Sequence, residues 1–137
     1  MNCDLYKAKR INNGEWIEGY LYRINEKLNP FIMLKDRHAT SYEVADETVC
    51  RCVGKEYMDA EVAFQGDIFE SQADGTIMIV RYGTYQVYCP ADKCYMDSVG
   101  FYAEAEGLPP MPIGDLSDYA LKIGNIFDNP ELLQRSE

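Results

Sequence analysis

Apolar and polar residues alternate with a period of two along much of this chain, in short runs broken by Gly, Pro, Asn and Asp. That spacing sends successive side chains to opposite faces of an extended backbone, so it predicts strands. "LYKAKRI" and "EWIEGYLYRI" flank Asn12-Asn13-Gly14, and Asn-Gly between strand-like runs signals a hairpin because both residues tolerate positive φ. On the second of these strands Trp16, Glu18, Tyr20 and Tyr22 share one face, while Ile17, Gly19 and Leu21 share the other. Apolar groups on both faces predict a strand covered on both sides. "NPFIMLK" follows as a short strand after a turn at Asn29-Pro30, "DRHATS" as a loop, and another strand is expected around Thr48 to Val53. "KEYMDAE" is polar and turn-like.

The middle of the chain repeats the pattern. "EVAFQGDIFES" and "TIMIVRY" are joined by Ala73-Asp74-Gly75, a second hairpin signal. Gly66 inside the first arm and Gly83 in "RYGTYQVY" predict bulges or bends, the device that curls a sheet towards a barrel. "VGFYAEAEG" is a further strand and "LPPMPIGDLSD" an irregular connector. In "YALKIGNIF" the residues Tyr119, Leu121, Ile123, Asn125 and Phe127 fall on one face, which predicts a half-buried strand. Asn129 as N-cap, Pro130 in the first helical position and Glu131 at the positive end of the dipole predict a short terminal helix. Leu132 and Leu133 would pin it to the sheet.

The expected fold is therefore mainly β: an N-terminal hairpin lobe over residues 1–54, then a barrel-like, SH3-like lobe over 55–137. The second lobe is closed by the C-terminal strand and helix, and the two together make one compact unit. Composition agrees, since 11 of the aromatic residues are Tyr, a residue favoured in strands. A length of 137 residues suits one domain with a real core.

Charge narrows the functions. The net charge is −10, but residues 1–37 hold seven basic and five acidic groups, and the rest hold 6 basic and 18 acidic. A body at −12 repels a phosphate backbone at long range, which argues against nucleic acid as a partner. The N-terminus "MNCDLYKAKR" has no apolar segment of the secretory type, and "TIMIV" is the longest apolar run. The expectation is a cytoplasmic protein without membrane contact, whose five cysteines are reduced thiols.

Few residues form a chemical constellation. Cys50, Cys52, Cys89 and Cys94 are a weak zinc candidate, because neither spacing is the two-residue knuckle that bends around zinc; the alternative is small buried apolar residues. His38, the single histidine, sits in a polar stretch beside Arg37 and makes a poor base for a thiol nucleophile. Asp46 with Glu47, Glu104 with Glu106 and Asp115 with Asp118 read as a solvated acidic surface. Asp67 in "QGDIF" reads either as an acceptor for backbone amides at the Gly66 bend or as a ligand contact on a barrel rim. Lys7 and Lys9 share a strand face and, with Trp16, offer a place for single-stranded nucleic acid to stack. The chain has no GxxxxGK[ST], GxGxxG or HExxH motif, and no cofactor is expected.

Several stretches, "KAKRINNGEWIEGYL", "ADETVCRCVG", "AFQGDIF" and the terminal "KIGNIFDNPELL", together resemble the YopX family of phage and prophage proteins. Their order and approximate spacing span the chain. The sequence departs from the family pattern at "GKEYMDAEVAFQGD", at Gln65 where the family often has Glu, and at Cys52 where an aromatic residue is common. The resemblance implies a β-rich accessory protein of a mobile element with a barrel-like half. The expected function is then a non-enzymatic phage or prophage accessory protein acting through protein–protein contacts. Its partners would be itself, as a homo-oligomer, and an unknown host or phage protein. The alternative is a single-stranded nucleic-acid-binding module built on the N-terminal lobe, with Lys7, Lys9 and Trp16. An enzyme would need a cleft that the sequence does not display.

Overall fold

The structure, a computed structural model, describes residues 4–34 and 40–134. Most of the loop expected at 36–41, His38 and Arg37 included, lies outside the described residues. The fold is mainly β with little helix, in two antiparallel sheets, one curled into a half-barrel. The chain divides into two compact units, Met1–Gly54 and Lys55–Glu137.

The first unit holds β1 (Tyr6–Lys9), β2 (Trp16–Tyr22), β3 (Phe31–Leu34) and β4 (Ser41–Glu43) and the start of β5 (Cys50–Glu56), which runs past Gly54; the order is β4-β3-β2-β1-β5. The β1–β2 hairpin forms where Asn-Gly predicts it. Its loop is longer than two residues: the Gly14 N–H donates to the Arg10 carbonyl at 2.9 Å, and the Arg10 N–H to the Glu15 carbonyl at 2.8 Å. The core is Ala8, Ile32 and Val44, with Tyr6, Ile17, Leu21 and Val49 packed against it. Only the Ile17–Leu21 face of β2 is thus an inner face. The expectation of cover on both sides fails, since Tyr20 and Tyr22 are 42% and 37% exposed. Tyr22 stacks on Phe31 at 5.5 Å, which shelters its ring without burying it.

The second unit holds β6 (Val62–Phe64), β7 (Asp67–Ser71), β8 (Ile77–Cys89), β9 (Cys94–Glu104), β10 (Met111–Pro112) and β11 (Ala120–Asn125). Five of them form a sheet in the order β10-β9-β8-β7-β11. Ile68, Phe69, Val80, Leu116 and Ala120 are fully buried, and each large apolar side chain among them contributes about 1.5–3 kcal/mol. Phe69 lies between Tyr57 and Tyr119, each ring centroid 6.0 Å away. Among the described residues no helix is long and apolar enough to cross a membrane.

The two glycine expectations fare differently. Gly66, expected as a bulge or a bend, is a bend: with φ of 90° it turns the chain between β6 and β7. Gly83 does not bulge β8. The β8–β9 register runs without a break from Ile79↔Glu104 to Cys89↔Cys94, with Gly83 directly opposite Gly100. Both glycines have φ of 152°, a backbone that side-chain-bearing residues rarely adopt. Two opposed glycines in that unusual backbone stand where a bulge was expected.

The expected alternation along the last strand also fails. β11 is broken by a register shift between Lys122 and Gly124, where Ile123 is the extra residue. The terminal helix is a 3-10 turn, Pro130–Gln134, and Asn129 precedes it as expected, its carbonyl accepting the Leu132 N–H at 3.1 Å. Its Oδ1 accepts the Asn125 N–H at 3.2 Å. A Cβ on Gly124 would lie 2.6 Å from that oxygen, so Gly124 makes room for the Asn129 side chain. The Asn125 Oδ1 accepts the N–H groups of Phe127 and Asp128, both at 2.9 Å. The "GNIFDNPELL" stretch is therefore a hook that fastens the tail through two asparagines.

Candidate functional site

An open cleft of about 670 Å³ lies on the second unit, within the range of ligand sites. Its construction follows from the register of three strands. Glu70 of β7 pairs with Ile77 of β8, and Ile79 of β8 pairs with Glu104 of β9. Paired residues share a face, so two isoleucines are flanked by carboxylates on either side. Glu106 follows just beyond β9, and Leu132 and Leu133 of the terminal 3-10 turn complete the lining. The Asn125–Asn129 hook is what holds that turn in place.

The groove is lined by both apolar and acidic side chains. Glu104 accepts from the Arg81 Nε at 2.9 Å. Among the described residues neither Glu70 nor Glu106 enters an ion pair. The surrounding field has the same sign: residues 55–137 carry five basic and fifteen acidic groups, net −10. The first unit, residues 1–54, carries eight of each and is neutral. The division into units therefore sharpens the asymmetry read from the sequence, and puts the whole net charge on the unit that carries the cleft.

Asp67 sits apart from the cleft, in a buried cluster of the second unit. It is fully buried, and its Oδ2 accepts the Tyr57 O–H at 3.0 Å and the Phe64 N–H at 2.8 Å. The Lys122 Nζ lies 3.7 Å from its Oδ1 and 3.1 Å from the Glu61 Oε2. The Phe64 amide is the backbone donor expected of a carboxylate at this turn. Lys122 comes from a distant strand and Tyr57 from before β6, and no local motif ties either of them to Asp67. Burial, then the Asp67 charge, holds the Tyr57 phenol far above its ordinary value, which keeps it neutral and a donor. Burial also raises Tyr119.

Lys7, Lys9 and Trp16 do come together in the first unit. The ammonium groups lie 4.8 and 5.4 Å from the centre of the Trp16 ring, and Lys7 stands opposite Glu18 across the β1–β2 ladder. Cation–π contact occupies the ring that a base would stack on, and Lys7 is only 7% exposed. The three side chains form a cation–π cluster in which Lys9 and Trp16 are half-buried. Arg10, likewise, lies 3.9 Å from the Tyr42 ring.

The cysteines separate. Cys50 and Cys52 are buried in β5; the Cys50 thiol donates to the Thr48 carbonyl at 3.3 Å, and Cys52 is disulfide-bonded. The expectation that every cysteine is a reduced thiol is corrected there. Cys89 and Cys94 are free thiols on the β8–β9 hairpin of the second unit. Among the described residues no three His, Cys, Asp or Glu side chains converge as metal ligands, so the four-cysteine zinc candidate does not assemble.

The cleft itself escaped sequence reasoning. Its one sequence signal was the Glu104-x-Glu106 pair beside alternating Ile77 and Ile79, and that gives no hint of the Leu132–Leu133 wall. In comparisons with known proteins, the chain matches no family model, no curated protein and no solved structure.

Proposed function

We propose that this chain is a non-enzymatic accessory protein that works through protein–protein contacts, with the acidic groove of the second unit receiving a basic, apolar-bearing segment of a partner. The observation that carries this reading is the lining of the groove. Ile77, Ile79, Leu132 and Leu133 offer apolar surface, and Glu70 and Glu106 offer negative charge. A segment with Lys or Arg beside apolar residues complements both. The net −10 of the second unit would steer such a partner in from a distance, an effect that weakens as salt rises. The resemblance to the YopX family is the ground for placing that partner in a phage or host system.

The test uses the tagged full chain to capture proteins from host lysate treated with nuclease, with quantification by mass spectrometry. Three forms are compared: wild type, Glu70→Lys with Glu106→Lys in the groove, and Asp115→Lys with Asp118→Lys outside it. The expected result is a protein partner retained by wild type and by the outer variant and lost from the groove variant. Retention by the groove variant, or loss of the partner on nuclease treatment, would overturn the reading.

A further inference from the structure

Beyond Gly83 and Gly100 the β8–β9 hairpin continues to a tip formed by Pro90, Ala91, Asp92 and Lys93. The last rung before the tip pairs Cys89 with Cys94. Both are free thiols, Cys89 half-buried and Cys94 exposed. Directly opposed residues of an antiparallel ribbon have Cα atoms about 4.5 or 5.5 Å apart, depending on the rung. Disulfides span Cα separations of about 4.4–6.8 Å. Either kind of rung therefore lies within reach of a bond without any change of register. The Cβ separation of opposed residues, about 4.5–5.5 Å, is slightly wider than the roughly 3.5–4.5 Å of a relaxed disulfide. The tip must draw in a little, and the small strain that results makes the bond readily reducible. The Cys89 thiol meanwhile has only a weak local partner, the Asp92 Oδ2 at 3.8 Å.

We propose that Cys89 and Cys94 form a thiol-modification site that takes up a low-molecular-weight disulfide of the glutathione class and closes to a reversible cross-strand disulfide. Cys94, the more exposed thiol, loses its proton to solvent and attacks one sulfur of the reagent. The reagent S–S bond breaks and one thiolate leaves. Cys89 then loses its proton and attacks the Cys94 sulfur, expelling the second thiolate. One S–S bond forms between the strands, two protein S–H bonds are lost, and the reagent disulfide is reduced to two thiols. The product staples the end of a ribbon that, among the described residues, has no neighbouring strand beyond the glycine rung, where a two-stranded hairpin is otherwise marginal.

The experiment incubates the full chain with glutathione disulfide and about 0.1 mM glutathione, blocks remaining thiols, and digests with trypsin. Cleavage after Arg81, Lys93 and Lys122 separates the two cysteines unless a bond joins them. The expected result is a linked pair of peptides, 82–93 with 94–122, from protein that remains monomeric on a non-reducing gel. An effective thiol concentration in the mM range would put this product about tenfold above the mixed disulfide. Cys89→Ser and Cys94→Ser should each trap the remaining thiol as a mixed disulfide. Mixed disulfides on wild type at the level of the single variants, peptides linked only in covalent dimers, or unreacted thiols would each overturn the proposal.

Discussion

The β8–β9 hairpin is one continuous ladder whose two ends behave differently. Below the Gly83–Gly100 rung, β7 pairs with β8 through Ile77, Met78 and Ile79, and β10 pairs with β9 through Tyr102 and Ala103. There Met78, Ile79, Val80 and Ala103 are all buried. Above the rung no flanking strand is paired among the described residues. Tyr88, Tyr95, Met96 and Val99 are 49%, 64%, 51% and 71% exposed. Tyr88 packs against Tyr95 at 5.3 Å, directly across the ladder. Tyr85 alone is buried, stacked on Tyr102 at 4.7 Å across the glycines. Both halves hold large apolar side chains, although the tip half adds Thr84, Gln86, Asp97 and Ser98. Strand-forming residues therefore specify the ladder, and neighbouring strands decide which stretch of it becomes core.

The largest expected effect tests what supports the root. Asp67→Ala leaves the Tyr57 hydroxyl and the Phe64 amide buried without their acceptor, and removes a carboxylate 3.7 Å from Lys122. A loss of about 3 to 5 kcal/mol in denaturant unfolding is expected. A loss below about 1 kcal/mol would mean that water satisfies the cluster and that the root does not depend on it. Within the hairpin, Val80→Ala should cost about 2 kcal/mol, from two methyl groups lost at a fully buried site. Gly100→Ala should cost about 1 kcal/mol, because the added Cβ meets open space but the φ of 152° remains strained. No loss at Gly100 would show that the rung relaxes to ordinary extended backbone. Val99→Ala should fall within about 0.5 kcal/mol of wild type, and a cost equal to that of Val80→Ala would erase the contrast between the halves.

Parts of this architecture are legible in the chain because they depend on neighbours in sequence. Asn13-Gly14 and Asp74-Gly75 mark their turns through local backbone preference, and the period-two runs mark most strands. The β8–β9 tip was missed because Pro90-Ala91-Asp92-Lys93 carries no Asn-Gly or Asp-Gly signal. Asn129 stands before Pro130, where the sequence puts it, but the reach of its side chain back to the Asn125 amide depends on the space that Gly124 leaves. Strand alternation puts Lys7 and Lys9 on one face, and the β1–β2 register brings Trp16 beside them.

By itself the sequence determined a mainly β protein with an acidic second half, because strand periodicity, turn residues and formal charge are properties of short stretches. Only the tertiary structure decided that Glu70, Ile77, Ile79, Glu106 and Leu132 line one cleft, and that Cys89 faces Cys94. Those juxtapositions are set by strand register and by how the tail is fastened. Register is chosen by the total burial of many side chains at once, which no local window of residues contains.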